Sequence, residues 1–401
     1  MNFVENMNID KAEYYWKLHG LSFNREGWEQ IKELGYLPIE IQAVPEGSFI
    51  PKDNVLVQVR NTDPRFSWLV TWLETILVQA VWYPSTVATN SKYCKIMMKE
   101  YLKDTGCENI DGVLPFMLHD FGFRGASSLE SAMIGGAAHL TNFMGTDTFP
   151  ALDLIRNYYN GENVGFSIPA SNHAVITAWE NEEDAFQNVL DHYLKEGTVV
   201  ACVSDSYDFY KAMEMWGTKF KDQIINSGGR LTCRPDSGNP EDVSLAGIES
   251  LMKNFGYTVN NKGYKVLPNC VRLIWGDGIN RNKINEVLYY LAGHDIAAEN
   301  IVFGMGAALL QQMDRDTCSF AFKINEVVQN GVSRPVCKHP ITTRHKASKA
   351  GRQSLIYDGG YKTILEKDII NKENILRTIF KNGKLLIDDD FETIRKRAEV
   401  V

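Results

Sequence analysis

Residues 271–278 read VRLIWGDG, a β-like run from Val271 to Trp275 that stops abruptly at Gly276-Asp277-Gly278. A helical pattern over Lys283 to Leu291 follows it. The same arrangement occurs three more times in the second half of the chain. Thr198 to Val203 ends at Ser204-Asp205, Leu231 to Cys233 at Arg234-Pro235-Asp236, and Ile301 to Phe303 at Gly304-Met305-Gly306. Further helical patterns cover Asp184 to Lys195 and Asp242 to Phe255. Strands with polar tips that alternate with helices build an α/β barrel, whose chemistry sits at the carboxyl ends of its strands. The expected fold is therefore α/β, a TIM-like (β/α) barrel with an additional smaller α+β domain.

Outward from the barrel, the βα rhythm begins near Phe116, which sets an expected division into residues 1–115 and 116–401. The first part is a partial N-terminal α+β domain, with helices at Lys11 to His19 and Arg25 to Leu34, the latter stopped by Gly35. Ile39, Ile41 and Ala43 alternate, as do Val55, Val57 and Val59, which predicts an antiparallel pair outside the barrel. Phe66 to Tyr83 has marginal length for a membrane span, but Thr71, Glu74, Thr75 and Gln79 interrupt it. A buried helix is expected there, begun at Asp63-Pro64 and closed by Pro84, with another near Lys92 to Lys103. From Thr317 onward the chain reads as strands and loops, with Asn330-Gly331 as a hairpin turn.

A chain of 401 residues with 44% hydrophobic content can bury a large core. Its net charge of −8 argues against general nucleic-acid binding, which needs a basic face. Seven scattered cysteines without CxxC spacing indicate neither a disulfide framework nor a zinc site, and a reduced cytoplasm is the expected location. The N-terminus lacks the basic and apolar regions of a secretory signal, and neither nucleic acid nor membrane is an expected partner.

Several motifs at the strand ends could carry chemistry. Val302 to Ala307, followed by a helix-like Leu309 to Met313 and then Arg315, has the layout of a phosphate cradle or, equally, of a tight turn. Arg234-Pro235-Asp236-Ser237-Gly238 is more specific, because a bidentate cation for diphosphate oxygens and a carboxylate for sugar hydroxyls or magnesium leave one strand together. Asp205, Asp208 and Asp277 could share the same mouth. His119 to Gly125, HDFGFRG, sets a flat aromatic beside an arginine, as a site for a ring next to an anion needs. His173 in PASNH reads from sequence alone as a satisfied core histidine more readily than as a base or phosphate ligand. Lys338, Arg344, Lys346, Lys349 and Arg352 form a basic loop, fit either for a nucleotide phosphate or for solvent.

Taken together, HDFGFRG, GTDT (145–148), PASNH, SDSYD (204–208), RPDSGNP and GDG resemble the nicotinamide phosphoribosyltransferases, nearly collinearly from about Gly35 to the C-terminus. The resemblance implies a type II phosphoribosyltransferase barrel that joins nicotinamide to phosphoribosyl pyrophosphate, giving nicotinamide mononucleotide and pyrophosphate in NAD salvage. It implies a homodimer with shared sites, Mg²⁺ as cofactor, and ATP as a coupling substrate. By the same resemblance Phe121 stacks on nicotinamide and Asp147 takes its carboxamide NH₂. Arg234, Pro235, Asp236, Gly276 and Asp277 surround base and ribose, while Gly306, Ala307 and Arg315 hold the 5′-phosphate. Arg124, His173, Arg234, Lys323, Lys338 and Lys346 meet pyrophosphate or ATP phosphates, and His173, Asp208 and Asp236 are the catalytic candidates. Which residues hold the metal is left open.

The chain departs from that pattern at Ala307, where a glycine is usual, and at Asn172, where many relatives have glutamate. A DSYK-type strand with a tyrosine that covers the nicotinamide has no equivalent in it. Two alternatives therefore stand beside the leading reading, a noncatalytic nucleotide-binding or regulatory relative and a nicotinate phosphoribosyltransferase. Asp147 disfavours nicotinate, because a carboxylate substrate would meet like charge.

Overall fold

The computed structural model describes residues 3–342 and 347–400. The chain forms two compact units, one made of residues 1–82 and 315–401, the other of residues 83–314.

The chain opens with α1 (Ile9–Leu18) and α2 (Arg25–Leu34), each begun by an asparagine whose side chain accepts from a first-turn amide, Asn8 from Lys11 N and Asn24 from Gly27 N. Gly35 ends α2 at φ +79°, where a residue with a Cβ is strained. Strands β1 (Ile39–Ala43) and β2 (Val57–Asn61) pair antiparallel, as their alternation predicts. Helix α3 then runs unbroken from Ser67 to Asp104. This corrects the expectation that Pro84 closes one helix and another begins near Lys92. A proline inside a helix costs about 3 kcal/mol. Leu69 and Leu73 before it, and Val87, Cys94, Met98 and Leu102 after it, are all buried. At about 1.5 to 3 kcal/mol for each large apolar side chain, their burial outweighs that cost.

The second unit continues through α4 (Ile110–Val113), β3 (Leu118–Asp120), α5 (Leu129–His139), β4 (Gly145–Thr146), α6 (Pro150–Tyr159) and α7 (His173–Thr177). The expected alternation follows with α8 (Glu182–Tyr193), β5 (Val199–Val203), α9 (Phe209–Gly217), α10 (Lys221–Asn226), β6 (Arg230–Arg234) and α11 (Pro240–Phe255). A small hairpin, β7 (Thr258–Val259) and β8 (Lys265–Val266), precedes β9 (Val271–Trp275), α12 (Arg281–Ala292), β10 (Ile301–Met305) and α13 (Ala307–Leu310).

Six of these strands make a curled parallel sheet in the order β4-β3-β10-β9-β6-β5. Helical crossovers allow the parallel pairing and cover one face, where Leu118, Cys202, Cys233, Leu273 and Phe303 pack in one core with Phe186, Val189, Leu251 and Leu288. Both outer strands also touch one irregular segment: Phe166 bridges Gly145, and Ala170 bridges Ala201. Register then fixes what reaches the carboxyl rim. Asp120 pairs with Thr146 and with Met305, Val203 with Arg234, and Phe303 with Trp275. Phe121, Asp147, Pro235, Gly276 and Gly306 are the next residues along those strands.

In the remainder of the first unit, β11 (Glu326–Gln329) and β12 (Val332–Pro335) form the hairpin predicted at Asn330-Gly331, with φ +52° and +76° at the turn. After β13 (Gln353–Tyr357) and β14 (Tyr361–Leu365), strand β15 (Arg377–Lys381) pairs with β1, giving a sheet β16-β15-β1-β2 with β16 at Lys384–Leu385. Helix α14 (Phe391–Glu399) ends the chain, and Asp390 caps it through Thr393 N. Val4, Ile9, Trp28, Ile31, Ile39, Phe66 and Leu69 form this unit's core. Among the described residues no helix is long and apolar enough to cross a membrane.

Candidate active site

The loop after β3 carries an aromatic shelf. Phe121 N donates to Met305 O at 3.0 Å, which draws the chain over the end of β10. The Phe121 ring then lies so close to β10 that a Cβ on Gly304 would stand 2.1 Å from two ring carbons. A Cβ on Gly276 would meet the ring at 3.1 Å. Glycine at both strand ends is therefore a spatial requirement of the shelf. The Arg234 guanidinium lies over the same ring, 5.6 Å from its centroid, within cation–π range.

Arg234 is 15% exposed, and its Nη2 donates to Asp236 Oδ2 at 3.3 Å. Its Nε is buried without a partner among the described residues. A guanidinium has five N–H donors, so most of the binding capacity of Arg234 remains for an anion. Asp205 knits the neighbouring loop. Its Oδ2 accepts from Asp236 N at 2.8 Å and Ser237 Oγ at 2.5 Å, and its Oδ1 lies 3.0 Å from His173 Nε2. His173 opens α7, and Asn172 caps that helix by accepting from Val175 N at 3.0 Å. At 45% side-chain exposure His173 is not a core histidine, which corrects the reading from sequence alone.

On the other side of the shelf, Asp147 N donates to Asp120 O at 2.9 Å, which fixes Asp147 beside Phe121. Ser167 Oγ donates to Asp147 Oδ1 at 2.5 Å. Asp120 itself is fully buried and accepts from Gly122 N through Oδ1. Burial pushes its carboxyl up to about 6, against the pull of the Gly122 amide and Thr148. Burial also pushes the His119 imidazole below its usual range, against the raising influence of Asp147.

The Gly306-Ala307 turn opens α13. Ala307 is its first helical residue, a conformation any L-residue adopts, so a side chain is tolerated there. The HDFGFRG loop packs on this short helix: a Cβ on Gly122 would stand 2.6 Å from Leu310, and one on Gly125 3.3 Å from Ala307. Arg124 thus projects, exposed, from a turn next to Ala307. Tyr83 Oη, 2.7 Å from Leu310 O and 3.0 Å from Ser131 O, ties α13 to α5.

A family model for nicotinate phosphoribosyltransferase (NAPRTase) matches residues 116–384. The chain belongs to the nicotinate phosphoribosyltransferase family. It is 45% identical over 408 residues to a nicotinamide phosphoribosyltransferase of Xanthomonas campestris pv. campestris, covering 99% of this chain and 86% of that protein. It is 34% identical over 396 residues to the enzyme of the same name from Acinetobacter baylyi, covering 92% and 77%. The human nicotinic acid phosphoribosyltransferase structure shares its fold at a TM-score of 0.58 and 14% identity, covering 99% of this chain and 83% of that one.

In this family member Phe121, Arg234, Pro235, Asp236, Gly276 and, through Asp205, His173 gather at one rim. Asp277 follows them with an exposed side chain, while its carbonyl accepts from Trp275 Nε1 at 2.7 Å. Asp208 turns to α9 as its N-cap, accepting from Tyr210 N and Lys211 N, and Asp205 is the carboxylate that meets the histidine. Arg315 pairs with Asp316 at 2.9 Å, and Lys323 and Lys338 are exposed; these three belong to the other unit. Lys346 and Arg344 lie outside the described residues. Sequence reasoning passed over Ser167, Asp120 and Glu182. Burial, then Asp205 and Asp208, push the Glu182 carboxyl up to about 7. Glutamate in a first helical turn is too common to have singled it out.

Proposed function

We propose that this protein transfers the phosphoribosyl group of phosphoribosyl pyrophosphate to nicotinamide, giving nicotinamide mononucleotide and pyrophosphate in NAD salvage. The observation that carries this reading is the Phe121 ring held against Gly304 and Gly276 with Arg234 above it and Asp147 beside it. A flat base fits the shelf, an amide N–H₂ fits the carboxylate, and a diphosphate fits the guanidinium.

The chemistry follows from charge. As the ribose C1–O bond breaks, the electron pair leaves with pyrophosphate, and positive charge grows on the sugar. The lone pair of the pyridine nitrogen then forms the new N–C1 bond. Asp236, with Asp277 next to Gly276, is suited to the sugar, and Arg234, with Arg124 and His173, to the departing diphosphate. Each set stabilises the transition state more than the ground state. The amides of Gly306 and Ala307 suit the 5′-phosphate. In this reading the bridges from segment 166–170 to both outer strands close the sheet into the barrel of type II phosphoribosyltransferases.

An ion carried by the diphosphate oxygens suits the hard carboxylate donors at this rim. Mg²⁺ in this role supplies charge neutralisation, and Asp236 and Asp277 would steady it. ATP as a coupling substrate, a homodimer with shared sites and a cytoplasmic location complete the proposal. Identity to nicotinamide phosphoribosyltransferases across nearly the whole chain disfavours a noncatalytic protein.

The deciding experiment incubates purified protein with nicotinamide, phosphoribosyl pyrophosphate and Mg²⁺, with and without ATP, and follows mononucleotide formation. Turnover is expected, with nicotinamide preferred over nicotinate in competition. Asp147→Ala should weaken that preference by about tenfold or more, the value of one hydrogen bond to a charged group. Absence of product under every condition would refute the activity.

A further inference from the structure

We propose that Ser167 is a positioning and specificity residue for the base, holding Asp147 so that carboxylate and hydroxyl together present acceptors only. The inference rests on the reading of Asp147 as the carboxamide partner. Ser167 Oγ stands 2.5 Å from Asp147 Oδ1, and a carboxylate has no proton to give, so the serine hydroxyl is the donor. Its proton is thereby committed to Asp147, which leaves its lone pairs to accept. Asp147 Oδ2 has no other hydrogen-bond partner among the described residues.

The position of Ser167 is built in from both sides. Thr146 N donates to Phe166 O at 2.9 Å and Phe166 N to Met144 O at 2.7 Å, which locks the residue before it to β4. Ala201 N donates to Pro169 O at 2.9 Å and Ser171 N to Ala201 O at 3.0 Å, which locks the residues after it to β5. The backbone between has little freedom to withdraw the hydroxyl. Asp147 is equally fixed, through its amide on Asp120 O.

A primary carboxamide carries two N–H bonds, and the pair offers an acceptor for each, Asp147 Oδ2 and the Ser167 oxygen. A carboxylate base has no N–H and would meet two electron-rich groups. Ser167 thus sharpens discrimination twice, by orienting Asp147 and by withholding its own donor. When a base covers this exposed pair, both hydrogen bonds leave water and gain strength.

The test compares Ser167→Ala, Ser167→Thr and Asp147→Ala in the full chain, measuring kcat, KM for each substrate and the nicotinamide-to-nicotinate ratio of kcat/KM. Ser167→Ala should raise the nicotinamide KM about tenfold and shift the ratio toward nicotinate, with kcat and the KM for phosphoribosyl pyrophosphate within about twofold. Ser167→Thr keeps the hydroxyl and should restore the parent KM. Because Ser167 is exposed, its truncation leaves no core cavity, and equal melting temperatures establish that the variants fold alike. A parent-like nicotinamide KM in Ser167→Ala, alongside a raised one in Asp147→Ala, overturns the inference. An unchanged KM in Asp147→Ala instead overturns the reading of Asp147 on which it rests.

Discussion

Asp120 carries the sharpest conflict between burial and charge at the rim, and the conflict has a measurable sign. The folded chain holds its carboxyl near a pKa of about 6, whereas an exposed aspartate sits at 3.8. Between those values the folded state keeps a proton that the unfolded state has lost, so stability is present below about pH 4 and falls as pH rises toward 6. Asp120→Asn retains an oxygen acceptor for Gly122 N and removes the titration. The variant should be more stable than the parent at pH 7.5, by an amount on the order of 3 kcal/mol, and the gap should close near pH 4. Thermal melts across that range check it, and a gap independent of pH would contradict it. Residue identity alone made Arg234 and Asp236 legible, because a cation and a carboxylate at one strand tip are uncommon. The division of labour between Asp205 and Asp208 was not legible. Both follow β5, and only the backbone decides that Asp208 turns back to cap α9 while Asp205 turns toward His173.

At the scale of elements, the site depends on how closely a loop can lie on a strand. The Phe121 ring occupies the space a side chain at Gly304 would fill. Gly304→Ala should displace the ring, raise the nicotinamide KM by about tenfold or more, and leave phosphoribosyl pyrophosphate binding nearly intact, since a contact near 2 Å forces movement and overpacking costs about 1 to 3 kcal/mol. Steady-state kinetics with each substrate varied in turn would decide. A KM unchanged for the base would mean that the ring does not form the shelf. Strand periodicity read the four late strands well because parallel strands buried on both faces appear as plain apolar runs. It failed at Pro84, where local propensity says stop and packing on both sides carries the helix through. The bridging by segment 166–170 escaped notice too, as its bridges are isolated and its sequence, FSIPA, contains a proline that no regular strand favours.

For the molecule as a whole, the first unit is sewn from both ends of the chain. β15 supplies the second neighbour of β1, and Arg377 and Arg397 share Asp389, which steadies β15 and α14 together. Deleting residues 371–401 would leave the edge of β1 unpaired and remove Phe391 and Ile394 from burial, so the truncated chain should aggregate or lose a cooperative melt. A soluble truncation with a parent-like melting curve would contradict this. No sequence period could announce the pairing, because a strand pattern identifies its inward face and never its distant neighbour.

The stretch that bridges β4 and β5 also delivers Ser167 to Asp147 and, three residues after Ala170, leads into His173. In the proposed reading, one short run of chain therefore serves the base end and the phosphate end at once. An insertion or deletion within it would disturb both halves of the reaction together, whereas a side-chain exchange at position 167 would touch only one. Anyone wishing to retune which pyridine the protein accepts should accordingly change chemistry at this stretch while leaving its length alone.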